Sequence, residues 1–196
     1  MIYKTEQEAF WAGDFGDDYN NRNKGDALLS ANLNSFSKLL RGTRNIKTAI
    51  EFGANIGINL RALKLLFPTI NLHGIEINAE AVQELSKVIP KNHIYKSSIL
   101  DWAPTQTWDL CLIKTVLIHI NTDELNLVYD KLVTATGRYL LVAEYYNPVP
   151  TSIQYRGHID RLFKRDFAGE IMDRHPNMKL LDYGFTYHRD PKFSTG

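Results

Sequence analysis

Two acidic residues and a pair of spaced glycines carry the clearest chemical signal in this sequence. Glu51 ends a short apolar run, and Gly53 and Gly57 follow it in a turn-forming segment. Nineteen residues after Gly57, a second apolar segment ends in another acid, Glu76. Glycines let the backbone approach a ligand closely, and a carboxylate at the end of the next strand can accept hydrogen bonds from ribose hydroxyls. The spacing therefore predicts a strand, a turn, a helix and a second strand that together bind a nucleoside.

The spacing of the glycines argues against a dinucleotide ligand. A pyrophosphate-binding turn requires the pattern G-x-G-x-x-G, whereas this turn reads Gly53-x-Asn55-x-Gly57 and has Asn59 where a further glycine would follow. No lysine stands where a phosphate-binding P-loop requires one. The turn is therefore expected to hold a nucleoside without a pyrophosphate bridge.

Strands and helices alternate from residue 48 onwards, which predicts an α/β fold with a doubly wound, mainly parallel sheet and helices on both faces. The predicted strands are about 48–53, 70–76, 93–96, 110–113, 139–143 and 179–187. The predicted helices are about 26–41, 56–67, 78–89, 121–134 and 156–175. Ligands bind beyond the carboxyl ends of the strands in such sheets, so Glu51, Glu76 and Glu144 are expected at one edge.

Composition and charge exclude several classes of function. The 196 residues, of which 44% are hydrophobic, suit one domain over 1–196, with 1–25 as an N-terminal arm or lid and 26–196 as the core. A net charge of +1 gives no sign of a nucleic-acid partner. No apolar run approaches the roughly 20 residues of a membrane span. The N-terminus lacks the apolar core of a signal peptide, so a cytoplasmic location is expected.

The possible metal ligands are few and scattered. His158, Asp160 and His175 do not form a recognisable ligand set, and the single cysteine, Cys111, lies within an apolar run. No metal site is predicted, and Cys111 is expected to be a reduced thiol in the core.

The segment from Glu51 to Gly57 resembles the first motif of the class I S-adenosylmethionine-dependent methyltransferases. The resemblance implies S-adenosylmethionine as cofactor and S-adenosylhomocysteine as product, with the turn around the methionine part and Glu76 on the ribose diol. Residues 97–102, after strand three, match the family's adenine segment, in which Asp101 would accept from the exocyclic amine. The candidate cofactor-binding residues are Trp11, Tyr19, Arg22, Glu51, Gly53, Ala54, Asn55, Gly57, Glu76, Ile77, Ser98, Ile99, Asp101 and Lys114.

Several further segments resemble a narrower group, the pseudaminic acid biosynthesis-associated methylases. They are residues 10–23, 144–148, 155–158, 166–167 and 182–185. The resemblance implies a small acidic acceptor, a bacterial nonulosonic acid or its nucleotide-activated precursor, methylated on oxygen or nitrogen. One departure concerns the sheet, because the class I fold adds an antiparallel seventh strand for which this chain has little material. That strand is therefore predicted to be missing or truncated.

Four residues are candidates for a general base or for orienting the acceptor. They are, in order of preference, His119, Glu144, Tyr146 and His158. The reference pKa of histidine lies near neutrality, which suits proton transfer, but His119 could equally bond only a backbone carbonyl. An oxygen acceptor requires a base, whereas a neutral nitrogen can lose its proton after the transfer.

The acceptor and the N-terminal arm leave alternatives open. Tyr145, Tyr155 and Arg156 are substrate candidates, although two tyrosines could simply pack a loop and an arginine could lie on a solvated helix face. Arg22 could bind the carboxylate of the cofactor or that of an acidic sugar. Trp11 and Tyr19 could give apolar cover over the cofactor as part of a lid, or merely pack the arm.

Two other functions remain possible from the sequence. One is a catalytically silent cofactor-binding scaffold in a sugar-biosynthesis assembly. The other is a nicotinamide-dependent oxidoreductase, against which the absent G-x-G-x-x-G pattern argues. The oligomeric state is open.

Overall fold

A five-stranded parallel sheet forms the centre of the chain. A computed structural model describes residues 3–187, 189, 190 and 192. The strands are β1 (Thr48–Phe52), β2 (Asn71–Glu76), β3 (Ile94–Lys96), β4 (Trp108–Lys114) and β5 (Thr136–Ala143). Their order is β3-β2-β1-β4-β5, and every pairing is parallel. The predicted doubly wound, mainly parallel sheet is therefore confirmed.

Within the described residues there are seven helices, two of them in the N-terminal arm. They are α1 (Glu6–Ala12), α2 (Asp14–Arg22), α3 (Asp26–Leu39), α4 (Ile58–Leu66), α5 (Ala79–Leu85), α6 (Leu125–Ala135) and α7 (Phe167–Arg174), with 3-10 turns at Lys91–His93, Leu117–His119 and Thr122–Glu124. The predicted arm of residues 1–25 thus contains two short helices, the first of which begins with a capping box between Thr5 and Glu8.

Apolar side chains fill the space on both faces of the sheet. Successive residues of a strand point to opposite faces, so Ala49 of β1 packs with α3, α4 and α5, and Ile50 packs with α6 and α7. The acidic residues at the carboxyl ends of β1 and β2 thereby lie on a rigid, fully packed support. Cys111 of β4 is fully buried, and burial raises the pKa of its thiol to about 12.

A separate antiparallel hairpin replaces the first half of the predicted helix 156–175. β6 (Thr151–Tyr155) pairs with β7 (His158–Lys164), and α7 begins only at Phe167. Arg156 and Gly157 both have positive φ angles, 49° and 88°, as a two-residue type I′ turn requires. The helix prediction was wrong over these residues because Ile153, Tyr155 and Leu162 supply an apolar face of period two that packs on the core.

The predicted strand 179–187 is also wrong. These residues form neither helix nor strand, and the large side chains of Leu181, Tyr183 and Phe185 are mostly exposed. Within the described residues β5 pairs with β4 alone, so the segment has no partner strand there. Asp182 forms an ion pair of 3.3 Å with the exposed Arg41, just beyond α3. The prediction that the seventh strand is missing or truncated concerns the end of the chain, where residues 188, 191 and 193–196 lie outside the described residues.

No helix within the described residues combines the length and the apolar content needed to cross a bilayer. Nor does any group of three or more histidine, cysteine or acidic side chains within those residues have a geometry that suits a metal ion.

Candidate cofactor and acceptor site

The glycine turn after β1 has a backbone that only small or locally bonded residues adopt. Gly53, Asn55 and Gly57 have φ angles of 75°, 46° and 82°. The N–H groups of Gly53 and Ala54 donate to the carbonyl of Ile75, at 3.0 and 2.9 Å, and so tie the turn to β2. A Cβ on Gly53 would lie 2.7 Å from Val116 Cγ2. The glycine is therefore required both by its conformation and by the closeness of the segment after β4.

Glu51, at the end of β1, is a buried carboxyl group with an incomplete set of partners. Its Oε1 accepts from Asn59 Nδ2 at 2.6 Å, while Oε2 is buried without a hydrogen-bond partner among the described residues. Burial raises the pKa of Glu51 to about 8, although the hydrogen bond from Asn59 and the nearby charge of Lys114 oppose the shift. An orphaned, buried carboxylate oxygen is a strong acceptor for a bound cation.

Glu76, at the end of β2, holds the glycine turn in place. Its two oxygens accept from the backbone N–H groups of Asn55 and Asn78, each at 2.7 Å. Burial raises the pKa of Glu76, and the amides of Asn78, Asn55 and Ile77 oppose that shift. A carboxylate has about four acceptor positions, so the two hydrogen bonds leave Glu76 able to accept from ribose hydroxyls.

The N-terminal arm lies over these strand ends through a cluster of side-chain amides. Asn20 of α2 accepts from Asn55 Nδ2 at 2.5 Å and donates to Asn78 Oδ1 at 3.0 Å. Asn78 also donates to Asp17 at 2.7 Å. A Cβ on Gly16 would clash with the Trp11 carbonyl and lie 2.9 Å from Asn78 Nδ2, so α2 packs closely on this cluster. We call Asn20, Asn55 and Asn78 the amide cluster.

The arm also contacts the predicted adenine segment after β3. Ser98 Oγ donates to Glu8 of α1 and accepts from the N–H of Leu100 at 3.0 Å. Asp101 forms an ion pair of 2.7 Å with Lys4, and both side chains are partly exposed. Ile99 is buried beside them. The predicted adenine residues therefore lie together beneath the first helix of the arm.

His119 lies at the end of the 3-10 turn after β4 and faces the arm. Its Nδ1 donates to the Arg161 carbonyl at 2.5 Å, because a carbonyl can only accept. Nε2 is therefore the unprotonated nitrogen, and burial lowers the pKa of His119 to about 4. The ring centroid lies 4.6 Å from that of Trp11 and 5.0 Å from that of Tyr155. Its neutral ring thus contacts both the arm and the hairpin.

Lys114, Glu144 and the two tyrosines that follow Glu144 have different surroundings. Glu144 Oε1 accepts from the N–H groups of Val116 and Leu117, and burial raises the pKa of Glu144 to about 7. Lys114 lies near Glu51 and Glu144, but burial lowers its pKa.

Tyr145 is half-buried beneath Lys164, whose ammonium lies 5.3 Å from the ring centroid. Tyr146 is 65% exposed, and the structure does not bring it to the other candidates.

Aromatic rings from the arm and the hairpin form the outer wall of the site. Phe10 and Phe15 stack with ring centroids 4.0 Å apart, and His158 lies 5.0 Å from the first and 5.9 Å from the second. Trp11 packs edge-on against Phe15 and Tyr19. The buried Trp11 Nε1 has no hydrogen-bond partner among the described residues. We call Phe10, Trp11, Phe15, Tyr155 and His158 the aromatic wall.

Two arginines flank Tyr19 at the aromatic wall. The guanidinium of Arg22 lies 5.4 Å from the ring centroid of Phe15, and that of Arg156 lies 5.9 Å from the ring centroid of Tyr155. Both lower the pKa of Tyr19, which burial nevertheless raises to about 12. Within the described part of the chain, the carboxylate that pairs with Arg22 is that of the mostly exposed Asp18, at a long distance of 3.9 Å. Both cations are thus available to an anionic group.

An open groove of about 610 Å³ lies between the start of the arm, the 3-10 turn Thr122–Glu124 and β7. Residues 4–7, 121–123, 159–161 and 163 line it, and no predicted site residue is among them. It does not coincide with the strand ends, where the arm already fills the space above the amide cluster.

Sequence reasoning missed the residues through which the arm reaches the core. Glu8, Asn20 and Asn78 carry its hydrogen bonds to Ser98 and the amide cluster. Asn78 also caps α5, and a capping residue gives no sign in the sequence that its side chain contacts the arm as well. The resemblance of residues 10–23 to a methylase motif was the one signal in the sequence that this segment takes part in the site.

Comparisons with known proteins agree with this arrangement of strands and helices. No protein-family model matches the chain, and no curated protein matches it in sequence. Among solved structures, DhpI in a complex with SAM and HEP is similar over 89% of both chains, with a TM-score of 0.62 and 13% identity. The chain has the class I methyltransferase fold.

Two further structures with this fold show the same relationship. The plantazolicin methyltransferase BpumL in complex with SAH matches 71% of this chain with a TM-score of 0.55 and 17% identity. The present chain spans 57% of the length of BpumL. The sugar N-methyltransferase KedS8 from Streptoalloteichus matches 80% of this chain and 65% of its own, with a TM-score of 0.56 and 14% identity. The narrower resemblance to pseudaminic acid methylases stays a prediction.

Proposed function

We propose that this chain is an S-adenosylmethionine-dependent methyltransferase of a small acidic acceptor. The observation that carries the proposal is the convergence of three features of the class I fold at one sheet edge. These are the glycine turn, the orphaned Glu51 Oε2 beside it, and the buried Glu76 carboxylate. They provide close backbone approach, an acceptor for a cation and an acceptor for a ribose diol.

The residues present fit the proposed cofactor. Glu51 Oε2 would accept from the ammonium of the methionine part, and Glu76 would accept from the ribose hydroxyls. Ser98, Ile99 and Asp101 would surround the adenine. When bound, S-adenosylmethionine supplies a methyl group already activated by its positively charged sulfur. The protein therefore has mainly to align the acceptor and exclude water.

The acceptor would be a small anion, for which a nonulosonic acid or its nucleotide-activated precursor is our candidate. Arg22 and Arg156 flank the Tyr19 hydroxyl, and neither forms a close carboxylate pair among the described residues. Arginine binds carboxylate and phosphate in a bidentate manner. Tyr145 and Tyr155 would give apolar contact to a sugar ring on the same side.

His119 is the proposed base for an oxygen acceptor. Its Nδ1 proton is held by the Arg161 carbonyl, so Nε2 keeps a free lone pair at neutral pH. The arm, which lies over the strand ends, would serve as a lid in which Trp11 and Tyr19 exclude water. Deleting residues 1–24 should weaken cofactor affinity at least tenfold, and unchanged affinity would count against the lid.

A thermal-shift panel tests the cofactor first. S-adenosylhomocysteine should raise the melting temperature, while NAD should leave it unchanged, because only a ligand that binds the folded state stabilises it. Stabilisation by NAD and none by S-adenosylhomocysteine would support the nicotinamide-dependent oxidoreductase and contradict the proposed function. Mass spectrometry of the enzyme with isotopically labelled S-adenosylmethionine and a panel of nonulosonate precursors would then identify the acceptor.

One observation favours the rival function of a silent scaffold. Among the four candidates for a base, Tyr146 is 65% exposed and apart from the others, and Glu144 is held by the amides of Val116 and Leu117, so few polar groups converge on an acceptor. Cofactor binding without methyl transfer to any member of the acceptor panel would support this rival. Turnover of any one of them would exclude it.

A further inference from the structure

The segment that carries His119 has a strained backbone at its start. Thr115, directly after β4, has a φ angle of 54°, a region that β-branched residues rarely adopt. Its N–H donates to the carbonyl of Ala143 at 3.0 Å, and its hydroxyl donates to the carbonyl of Lys114 at 2.7 Å. Such a conformation persists only where the surroundings enforce it. The direction in which the chain leaves β4 is therefore imposed by neighbouring groups.

Glu144, directly after the adjacent strand β5, holds the two residues that follow Thr115. Its Oε1 accepts from the N–H groups of Val116 and Leu117, at 2.9 and 3.0 Å. The amide of Ile118 also points towards this carboxylate. These are the free N–H groups at the start of the 3-10 turn Leu117–His119, which has no cap from its own side chains. The carboxylate thus caps the turn from the neighbouring strand.

His119 ends this turn, and its ring is fixed at two further points. Its backbone N–H donates to the carbonyl of Val116 at 2.9 Å, and Nδ1 donates to the carbonyl of Arg161 in β7 at 2.5 Å. Moving Val116 and Leu117 would therefore displace the imidazole from the aromatic wall. The position of Nε2 depends on the contact with Glu144.

We infer that Glu144 is a positioning residue, which aims His119 by capping the turn that carries it, and is not itself the base. The inference rests on the proposed function for its catalytic consequence. The rival role, in which Glu144 accepts the proton, is opposed by its geometry. Oε1 already accepts from the N–H groups of Val116 and Leu117, and the N–H of Ile118 is directed at the same carboxylate, so this group is engaged in capping the turn.

Two substitutions separate positioning from proton transfer. Glu144→Gln keeps an oxygen that can accept from Val116 and Leu117 but cannot act as a base, so its kcat should stay within about threefold of the unsubstituted enzyme. Glu144→Asp keeps a carboxylate but is one methylene too short to reach both amides, so its kcat should fall at least about 30-fold with unchanged cofactor affinity. A loss of about 100-fold or more in Glu144→Gln would overturn the inference.

Nitrogen-15 NMR of the His119 ring gives a readout that does not depend on turnover. Its resonances, assigned with His119→Gln, should be unchanged in Glu144→Gln and shifted in Glu144→Asp. Unshifted resonances in Glu144→Asp would contradict the inference whatever the activity. Asp123→Asn, in the next 3-10 turn and exposed, is the matched control and should change neither signal nor rate.

The proposed function fails separately from this inference. Full activity of His119→Gln would remove His119 as the base, while the NMR response to Glu144→Asp would still show whether the carboxylate holds the ring. Absence of cofactor binding would contradict the proposed function and leave the NMR test intact.

Discussion

Glu76 joins the glycine turn to β2 with two backbone hydrogen bonds, and one substitution should affect both stability and binding. In Glu76→Gln the amide NH2 would face the N–H of Asn55 or Asn78 instead of accepting from it. We expect a loss of about 1–3 kcal/mol in unfolding free energy, because a buried donor is left unpaired. We also expect at least about tenfold weaker cofactor binding. Urea denaturation and calorimetric titration measure the two effects.

Glu80→Gln is the matched control for this prediction. Glu80 lies exposed in the first turn of α5, four residues beyond Glu76. Glu80→Gln should change neither the free energy of unfolding nor the cofactor affinity beyond experimental error. Equal effects of the two substitutions would mean that overall charge, and not the position of Glu76, determines affinity.

Gly53 is fixed by both its φ angle and its neighbour. Gly53→Ala would place a Cβ 2.7 Å from Val116 Cγ2 at a φ of 75°. The expected loss in stability is about 1–3 kcal/mol, with a matching loss of cofactor binding. Gly42→Ala has no atom within 4 Å of its added Cβ and should cost little. If thermal denaturation shows the two variants to be equally stable, the turn is more pliable than its geometry indicates.

At the scale of elements, the β6–β7 hairpin combines a strained turn with a proposed role in binding the methyl acceptor. Arg156 occupies a left-handed position that asparagine adopts more easily. Arg156→Asn should therefore stabilise the chain by roughly 0.5–1 kcal/mol. It should at the same time raise the KM for an acidic acceptor at least about tenfold, because a bidentate cation is lost. Thermal melting and steady-state kinetics would detect both changes.

A lower melting temperature in Arg156→Asn would contradict the strain argument. An unchanged KM would contradict the role of Arg156 in binding the acceptor. Lys179→Asn, which removes a positive charge outside the helices and strands, controls for the change in net charge.

The central elements were predictable because each has its own local signal. The continuous apolar run 110–113 requires burial on both faces, which a central parallel strand provides, and the helix after Gly57 has a clear apolar face. The hairpin was missed because an Arg-Gly turn is not a common hairpin signal and the charged residues of β7 suggested a solvated helix. The segment 179–187 has the composition of a strand, but a strand also requires a partner, and composition does not specify one.

The site was predictable only where chain order and strand geometry determine it. Parallel strands bring their carboxyl ends to one edge, so Glu51, Glu76 and Glu144 could be placed together from sequence. The contact between Glu8 and Ser98 joins residues 90 positions apart, and no local pattern encodes it. The role of Glu144 in capping a neighbouring turn was missed for the same reason.

Across the whole molecule, buried histidines and buried carboxyl groups predict opposite pH limits for stability. Burial lowers the pKa values of His73 and His119 to about 4, so stability is lost as pH falls from their ordinary value of 6.5 towards 4. Burial raises the pKa values of Glu144 and Glu51 to about 7 and about 8. The folded chain keeps these groups protonated where the unfolded chain has released their protons, so the free energy of unfolding falls as pH rises from 4.5 through those values. Stability of the ligand-free chain should therefore be greatest at weakly acidic pH.

Denaturant unfolding over a series of pH values tests this balance. Between about pH 6.5 and 4, the free energy of unfolding should fall by about 1–3 kcal/mol for each buried histidine. The fall should be smaller in His73→Gln, which lacks one of these histidines. The ring of His73 stacks on that of His93 at 4.2 Å, so a second charge there would be unfavourable. An acid limb of unchanged slope in His73→Gln would assign the acid sensitivity to other groups.

Because Cys111 is buried, its thiol should not react with thiol reagents while the chain is folded. The sequence has no other cysteine, and burial keeps this one protonated. Ser98→Cys, nearly isosteric, would therefore add a single reportable thiol directly beneath α1. This thiol should be alkylated slowly, and faster when Glu8→Ala removes the contact that holds the arm. The alkylation rate therefore measures local opening of the arm. A rate equal to that of an exposed model thiol in Ser98→Cys would mean that the arm is open most of the time.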